Sequence, residues 1–388
     1  MPTNGNLEPM ADFFTQRAGE TVIIDQVYPG SDRVLPRIET YRKKRRAAIT
    51  TSSLLVRWLC PLLWFTNREG TRMVFKLRDF FSVIDWCIRD WKYYDVFVGF
   101  ESVNACAGIV LKRWRRVKRV IYYVSDYSPK RYSNPFLNRL YIWLDRFAAM
   151  HADFIWDVSS AIQPARISAG LDKQKSAQVV IVPNALYPTQ VGQCPLGEIT
   201  PYSLVFMGTL GEENGPALAI EALVRVVKKY PRATLHIIGG PSHEEEKLKQ
   251  LVKRFSLESH VIFYGFISDR AKISALLSRF FVALAPYRAM PGSVRWYGDA
   301  TKIRAYMAAG LPVITTSVPP LGKEIADVGA GLIVPDTPEG IAAGIATLFD
   351  NHTLFCTMRA SAIAFARKNT WEREFVKAFR QMERMKAR

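Results

Sequence analysis

The sequence predicts an α/β protein built from two doubly wound domains. Short apolar, β-branched runs alternate with helical stretches in both halves, a pattern typical of parallel sheets covered on both faces by helices. The 388 residues suffice for two domains that each bury a core. A content of 49% hydrophobic and 23% charged residues excludes a disordered chain. We expect an N-terminal domain over residues 1–180, a Pro- and Gly-containing linker over 181–200, a C-terminal domain over 201–369 and a final helix over 370–388.

The predicted strands follow the apolar runs. In the N-terminal domain they cover residues 21–25, 96–100, 120–124 and 154–158, with helices over 103–116 and 138–149. In the C-terminal domain they cover 203–207, 233–238, 261–264, 280–285, 313–316 and 331–334, with helices over 216–229 and 299–307.

The amino terminus departs from this scheme. Residues 6–19 look like the first helix of a doubly wound domain, and residue 21 begins what should be its second strand. No strand precedes that helix, although the first strand is normally central in the sheet. We therefore expect the natural chain to begin upstream of Met1, with a rearranged sheet as the alternative.

The formal net charge of +18 indicates either an anionic binding partner or a basic surface exposed to solvent. Basic residues cluster at 42–46 and 112–119, and an apolar stretch with two tryptophans follows at 54–65. This combination predicts attachment to an anionic membrane surface. Nucleic-acid binding would use the same charge, but no helix-turn-helix, zinc-finger or RNP motif supports it. A solvated basic surface is the remaining alternative.

The location follows from what the sequence lacks. The first twenty residues are polar, and no apolar run reaches the roughly 18 residues of a membrane-spanning helix. Five scattered cysteines suit a reducing compartment. We expect a cytoplasmic protein that is peripheral to the inner face of the cell membrane.

The run over residues 280–316 is the most informative part of the chain. An apolar strand ends at Pro286-Tyr287, a polar loop follows, and a helix opens near Asp299 with Lys302 in its first turn. Free amide N–H groups, the helix dipole and a lysine together predict an anion site. An ordinary strand–helix–strand crossover with a solvated lysine is the alternative.

The pattern A-P-Y, then K-I-R-A-Y, then A-A-G-L-P-V resembles the nucleotide-sugar site of GT-B glycosyltransferases. The likeness extends to the xanthan-pathway glucuronosyltransferase and to the family-4 enzymes. It implies two Rossmann-like domains that face each other across a cleft, with the final helix crossing back to the first. It also implies a UDP-sugar donor, a lipid-linked oligosaccharide or polysaccharide acceptor, and no metal or other cofactor.

The same resemblance assigns donor-site roles. Gly208 and Thr209 follow the first strand of the C-terminal domain, where a glycine lets the backbone approach a diphosphate. Lys302 is the predicted diphosphate ligand, helped by Arg295 or Arg288, and Thr301 offers its backbone and hydroxyl. Tyr287 is predicted to meet the base or ribose, with core packing as the alternative.

A carboxylate follows the strand over 120–124. Asp126 is therefore placed to take a proton from an incoming hydroxyl, and the resemblance assigns it the role of catalytic base. An Asx turn is the alternative. Glu101 ends the neighbouring strand and is predicted to hold the acceptor or to orient a neighbour.

Several functions remain open. Family-4 enzymes carry two glutamates where this chain has Tyr297 and Ala305, and no D-x-D motif occurs, which favours metal-independent, inverting transfer with Asp126 as the base. The alternatives are a retaining family-4-type transferase, a GT-B-fold sugar-nucleotide epimerase, and a degenerate, non-catalytic membrane-associated subunit.

Overall fold

The described part of the chain contains three sheets in a computed structural model. The structure describes residues 7–27, 35–51, 68–192, 194–240 and 243–386, without the side chains of 68–75 and 386. The chain divides into an N-terminal unit of Pro2–Val182 with Phe375–Arg388 and a C-terminal unit of Pro183–Glu374. The domain and linker boundaries that composition suggested stay predictions.

The N-terminal unit contains an antiparallel and a parallel sheet. The antiparallel sheet has the order β1 (Glu20–Asp25), β2 (Arg37–Arg42), β3 (Arg45–Thr51). The parallel sheet has the order β4 (Tyr94–Phe100), β5 (Val117–Val124), β6 (Phe154–Asp157), β7 (Gln178–Ile181). The helices are α1 (Leu7–Arg17), α2 (Arg68–Asp90), α3 (Glu101–Arg113), α4 (Pro135–His151) and α5 (Ile162–Ser168).

The strand predicted over 21–25 exists, but its predicted place in the doubly wound sheet is wrong. As β1 it pairs antiparallel with β2, residue by residue from Glu20 opposite Arg42 to Asp25 opposite Arg37. The partner is a hairpin whose two turn residues, Lys43 and Lys44, have φ of 47° and 66°. Two consecutive left-handed residues suit the twist of a tight hairpin. Lysines carry no turn signal, so the sequence did not show this hairpin.

The C-terminal unit contains a six-stranded parallel sheet. Its order is β10-β9-β8-β11-β12-β13, with β8 (Ser203–Met207), β9 (Thr234–Ile238), β10 (Val261–Gly265), β11 (Val282–Ala285), β12 (Val313–Thr315) and β13 (Gly331–Ile333). Its helices are α6 (Pro216–Lys229), α7 (His243–Arg254), α8 (Arg270–Leu277), α9 (Thr301–Ala308), α10 (Pro320–Asp327), α11 (Pro338–Asp350) and α12 (His352–Lys368).

Helices cover both faces of this sheet. One apolar core contains side chains of α6, α7 and α11, and the other contains side chains of α8, α9, α10 and α12. Strands buried on both faces must be apolar throughout, which explains why continuous apolar runs marked them in the sequence. The predicted α/β class with parallel sheets is confirmed.

The last helix is α13 (Trp371–Lys386). Its Phe375 ring stacks on Trp156 of β6, with centroids 6.1 Å apart, and meets Phe13 of α1 edge-on at 5.2 Å. The residues of α13 from Phe375 onward thus share the core of the N-terminal unit. Residues 1–6, at the amino terminus, and the apolar stretch over 54–65 lie outside the described residues.

Candidate donor and acceptor sites

The strand order of the C-terminal sheet creates one crevice. The chain begins at β8, moves outward through β9 and β10, and then returns to β11 on the other side of β8. Ligands of doubly wound sheets bind at such a reversal, outside the carboxyl ends of the strands. Gly208 and Thr209 follow β8 there, Tyr287 follows β11, and the subsequent helix α9 carries Thr301 and Lys302.

Gly208 makes room for Lys302. It has φ of +133°, and a Cβ built on it would lie 3.1 Å from Cε and 3.2 Å from Nζ of Lys302. Its own N–H donates to the carbonyl of Ile238 at 2.9 Å. A larger residue would therefore be strained and would press on the lysine.

The ammonium of Lys302 is enclosed by aromatic rings. Nζ lies 4.4 Å from the ring centroid of Phe206 and 4.8 Å from that of Tyr287. Within the described part of the chain, this buried atom has no hydrogen-bond partner. Burial and, to a smaller extent, the charge of Arg295 lower the pKa of Lys302 to about 7, whereas Glu213 acts in the opposite direction. A buried amine in this state lacks an anionic partner.

The nearby arginines already have carboxylate partners. Nε and Nη2 of Arg295 each lie 3.1 Å from Oε1 of Glu213, whose other oxygen accepts from Ser293 Oγ at 2.7 Å. Nη1 of Arg288 lies 3.6 Å from Oε1 of Glu212. An anion would have to compete with these carboxylates for both arginines. Sequence reasoning missed Glu213, because its partners are about eighty residues away in the chain.

The remaining predicted donor residues differ in exposure. Thr301 is exposed at the first position of α9, and Thr209 Oγ1 accepts from Asn214 Nδ2 at 2.6 Å. Tyr287 is only 2% exposed and belongs to an apolar core. This burial favours packing around Lys302, and a contact between Tyr287 and a base or ribose stays a prediction.

A buried ion pair anchors the start of α9. Asp299 Oδ2 accepts from the backbone N–H of Asn184 at 2.6 Å and from Nε of Arg304 at 2.8 Å. The side-chain amide of Asn184 donates to the carbonyl of Asp299 at 3.0 Å. These bonds hold the residues that lead into Thr301 and Lys302. The sequence offered only a carboxylate near a helix start, which did not distinguish this role.

The parallel sheet of the N-terminal unit brings the predicted acceptor residues together. Phe100 of β4 lies opposite Tyr123 of β5, so Glu101 and the Ser125-Asp126 pair emerge at one edge. Ser125 Oγ donates to Glu101 Oε1 at 3.0 Å. Glu101 has φ of 62°, and such a conformation in a residue with a side chain is typical of functional sites.

Asp126 remains accessible at this edge. Its side chain is 46% exposed, and Nη1 of Arg131 lies 3.4 Å from Oδ2. The same arginine nitrogen donates to the backbone carbonyl of Asp126 at 2.8 Å. A hydroxyl can therefore approach the carboxylate, which the arginine supports on one side. Arg131 had no role in the sequence-based hypothesis.

Comparisons with known proteins agree with this geometry. Residues 201–351 match the family model described as "Glycosyl transferases group 1". The chain is 24% identical over 321 residues to the O-antigen biosynthesis glycosyltransferase WbnH of Escherichia coli, covering 77% of this chain and 85% of that protein. It shares the fold of Anabaena Alr3699/HepE, solved in complex with UDP, with a TM-score of 0.63, 18% identity, and 78% and 82% of the two chains covered. Residues 201–351 are therefore identified as a glycosyl transferases group 1 region.

A second relative matches over a shorter range. The D-inositol 3-phosphate glycosyltransferase of Jonesia denitrificans is 30% identical over 189 residues, which cover 47% of this chain. The match spans only 42% of the length of that protein. The family predicted from residues 280–316 is confirmed, whereas a xanthan-type member is not shown.

We expect the substitution Lys302→Met to raise the melting temperature of the protein at pH 6 by about 3–6 °C. The wild-type protein must hold an unpaired buried ammonium below its folded pKa of about 7. Between pH 7, near the folded pKa of Lys302, and pH 10.5, the ordinary pKa of a lysine, the Lys302 side chain binds more protons in the unfolded chain than in the folded one. Wild-type stability should therefore rise with pH across this window, and the gap to the variant should close.

The measurement is thermal unfolding between pH 6 and 10. Lys323→Met serves as the control, because Lys323 is exposed on α10. Equal melting temperatures for Lys302→Met and wild type at pH 6 would show that the ammonium has a partner in the folded protein.

Proposed function

We propose that this glycosyltransferase moves a sugar from a UDP-sugar to a hydroxyl of a lipid-linked or polysaccharide acceptor. The observation that carries the proposal is the enclosed ammonium of Lys302 beside Gly208, which has no hydrogen-bond partner among the described residues and lies at the strand reversal of the C-terminal sheet. A diphosphate would supply the negative charge that this amine lacks, and would return its pKa toward the ordinary range. The UDP complex of the Anabaena protein supports uridine as the nucleoside of the donor.

The diphosphate would have two further sources of attraction. The first-turn N–H groups of α9, at Thr301, and the positive end of its dipole favour an anion. Arg295 and Arg288 would add positive charge if they left their carboxylate partners, Glu213 and Glu212, and paired with phosphate oxygens instead. Negative charge that develops on the leaving UDP would be stabilised by the same groups, without a metal in this proposal.

The first prediction of this proposal is that UDP at millimolar concentration raises the melting temperature and that GDP and ADP do not. A ligand that binds only the folded state stabilises it by mass action. Lys302→Ala should abolish the shift, whereas Lys323→Ala should retain it. Equal shifts for UDP in wild type and Lys302→Ala would remove this lysine from the donor site.

Asp126 is proposed as the base of an inverting transfer. Its carboxylate takes the proton of the acceptor hydroxyl, whose oxygen forms a bond to the anomeric carbon of the sugar. The bond from that carbon to the diphosphate breaks at the same time, and UDP leaves with the electron pair. A single displacement of this kind inverts the anomeric centre, and positive character develops on the sugar ring in the transition state. Glu101, held by Ser125, is proposed to contact the acceptor.

Asp126→Asn should lower kcat by about 10²–10⁴-fold, the usual contribution of a general base. The amide keeps the shape of the side chain but cannot accept the proton. The readout is UDP release from UDP-glucose, UDP-galactose and UDP-glucuronate, and the UDP-induced thermal shift should not change. Asp172→Asn is the matched control, because Asp172 is an exposed carboxylate of the same unit.

The outcomes separate the rival functions. Unchanged turnover in Asp126→Asn would overturn its role as the base. Isomerisation of the UDP-sugar without an acceptor would favour an epimerase. A UDP-induced shift in a protein that turns over no donor would favour a non-catalytic subunit.

A basic and aromatic surface of the N-terminal unit is proposed to bind anionic membrane. It consists of the hairpin residues 43–46 and of Trp91, Trp114, Arg115 and Arg116. Glu20 connects its two parts, since its carboxylate lies 3.1 Å from Nε of Arg42 and 2.6 Å from Nζ of Lys92. Trp91 and Trp114 are 62% and 50% exposed, and the Arg116 guanidinium lies 3.5 Å from the Trp91 ring centroid.

Exposed tryptophans among clustered cations suit the interface of an anionic bilayer. No helix in the described ranges is long and apolar enough to cross a membrane. Binding at the surface is therefore the form of attachment that we propose.

Reversing the charge of the hairpin tests this surface. Lys43→Glu with Lys44→Glu should weaken sedimentation with phosphatidylglycerol vesicles by at least about 10-fold, at roughly 1 kcal/mol for each lysine near an anionic surface. Phosphatidylcholine vesicles should bind neither protein. Lys228→Glu with Lys253→Glu, two exposed lysines of the C-terminal unit, gives the same change in net charge. Equal losses in both double variants would show that total charge, and not this surface, governs binding.

A further inference from the structure

We propose that Arg131 is a positioning residue for the base Asp126, which it holds in place and keeps ionised while the acceptor hydroxyl approaches. The inference rests on the proposed function of Asp126 and adds a residue that neither the sequence pattern nor the comparisons assign. It stands on the contacts that Arg131 makes at the edge formed by β4 and β5.

Arg131 connects the backbone and the side chain of Asp126. Its Nη1 donates to the Asp126 carbonyl at 2.8 Å and lies 3.4 Å from Oδ2 of the same residue. That nitrogen also lies 4.0 Å from Oε2 of Glu101. One guanidinium therefore lies against both carboxylates that emerge from the neighbouring strands.

Packing restrains the arginine itself. Its guanidinium carbon lies 5.6 Å from the ring centroid of Tyr141 on α4, and its side chain is half-buried. Burial lowers the pKa of Arg131, but Glu101 and Asp126 outweigh it and shift the pKa upward. Arg131 thus stays charged across any pH range in which the enzyme could be assayed.

Other charged and titratable groups face this cluster. Tyr132 and Tyr141 act on Arg131, and Lys76 of α2 adds a second positive charge that interacts with Glu101 and Asp126. Asp79 of α2 faces Lys76, and burial raises the pKa of Asp79 to about 6 despite Arg78. Without Arg131, less positive charge would lie beside the Asp126 carboxylate, which favours its protonated form.

The arrangement suits a base that must stay both ionised and open. Arg131 contacts Asp126 from the protein side, while nearly half of the Asp126 side chain remains exposed to an incoming hydroxyl. A misplaced carboxylate loses the alignment that proton transfer needs, even where its charge is intact. Arg131 therefore contributes charge and orientation, and these two contributions can be separated by substitution.

The experiment compares Arg131→Gln, Arg131→Lys and the control Arg139→Gln, which alters an exposed arginine of α4. Glutamine can still donate a hydrogen bond to the Asp126 carbonyl but carries no charge. Lysine keeps the positive charge but lacks the planar set of N–H donors of the guanidinium. The readouts are the pH profile of UDP release from the three UDP-sugars, with water as the acceptor, and the NMR titration of the Asp126 carboxyl carbon. The UDP-induced thermal shift is measured in every variant.

For Arg131→Gln we expect kcat to fall by about 10–100-fold with KM for the donor unchanged. The acid limb of the pH profile should move up by about 0.5–1 unit, because the loss of a partly exposed cation makes protonation of the base easier. The NMR titration midpoint of Asp126 should move in the same direction. Arg131→Lys should restore the acid limb and only part of kcat, and Arg139→Gln should match wild type.

An Asp126 titration midpoint that is the same in wild type and Arg131→Gln would overturn the inference, even in a protein without turnover. An acid limb that stays in place while kcat falls would also overturn the electrostatic role. Loss of the UDP-induced shift in the wild-type protein would instead count against the proposed donor site, so the two failures are distinguishable.

Discussion

The hydrogen-bond geometry of buried parallel strands is the constraint on which the rest of this structure depends. In both parallel sheets each strand pairs with neighbours that run in the same direction, so the carboxyl ends of the strands reach one edge. In the C-terminal unit this edge collects Gly208, Tyr287 and the start of the helix that carries Lys302. In the N-terminal unit the same rule brings Glu101 beside Ser125 and Asp126. The parallel strand arrangement therefore brings together residues that are distant in the chain.

The two candidate sites differ in how their charged side chains are buried and paired. The ammonium of Lys302 is enclosed and has no hydrogen-bond partner in the part of the chain that the structure describes, a state that costs stability and that the proposed diphosphate would relieve. Asp126 is exposed on one side and supported by an arginine on the other. In the proposed roles, the first arrangement suits the binding of an anion, and the second leaves a carboxylate accessible to an acceptor hydroxyl. The enclosed ammonium of Lys302 thus conflicts locally with stability in the way expected of functional residues.

How well the sequence predicted each feature depends on how far apart in the chain the interacting residues lie. The strands over 203–207 and the helix over 216–229 match the predicted bounds, because both are apolar patterns with a clear local period. The strand over 21–25 was found, but its sheet was not, since its partners form a polar hairpin with a Lys-Lys turn. The sequence left Tyr287 open between a ligand contact and core packing, and the structure shows its ring in an apolar core while the ligand contact stays a prediction. Glu213, Asp299 and Arg131 were missed, because their roles depend on partners brought together only by the fold.

The sequence by itself determined the α/β class, the family and the chemical character of the run over 280–316. These properties reside in local periodicity and in residue types at short spacing, which remain visible along one chain. Only the tertiary structure decided that the Lys302 ammonium is enclosed without a hydrogen-bond partner among the described residues. It also decided that Glu213 pairs with Arg295, and that the Arg131 guanidinium lies beside both Glu101 and Asp126. Burial and ionic pairing are relations between segments far apart in sequence. Their energies depend on distance and solvent access, which exist only after the sheets have assembled.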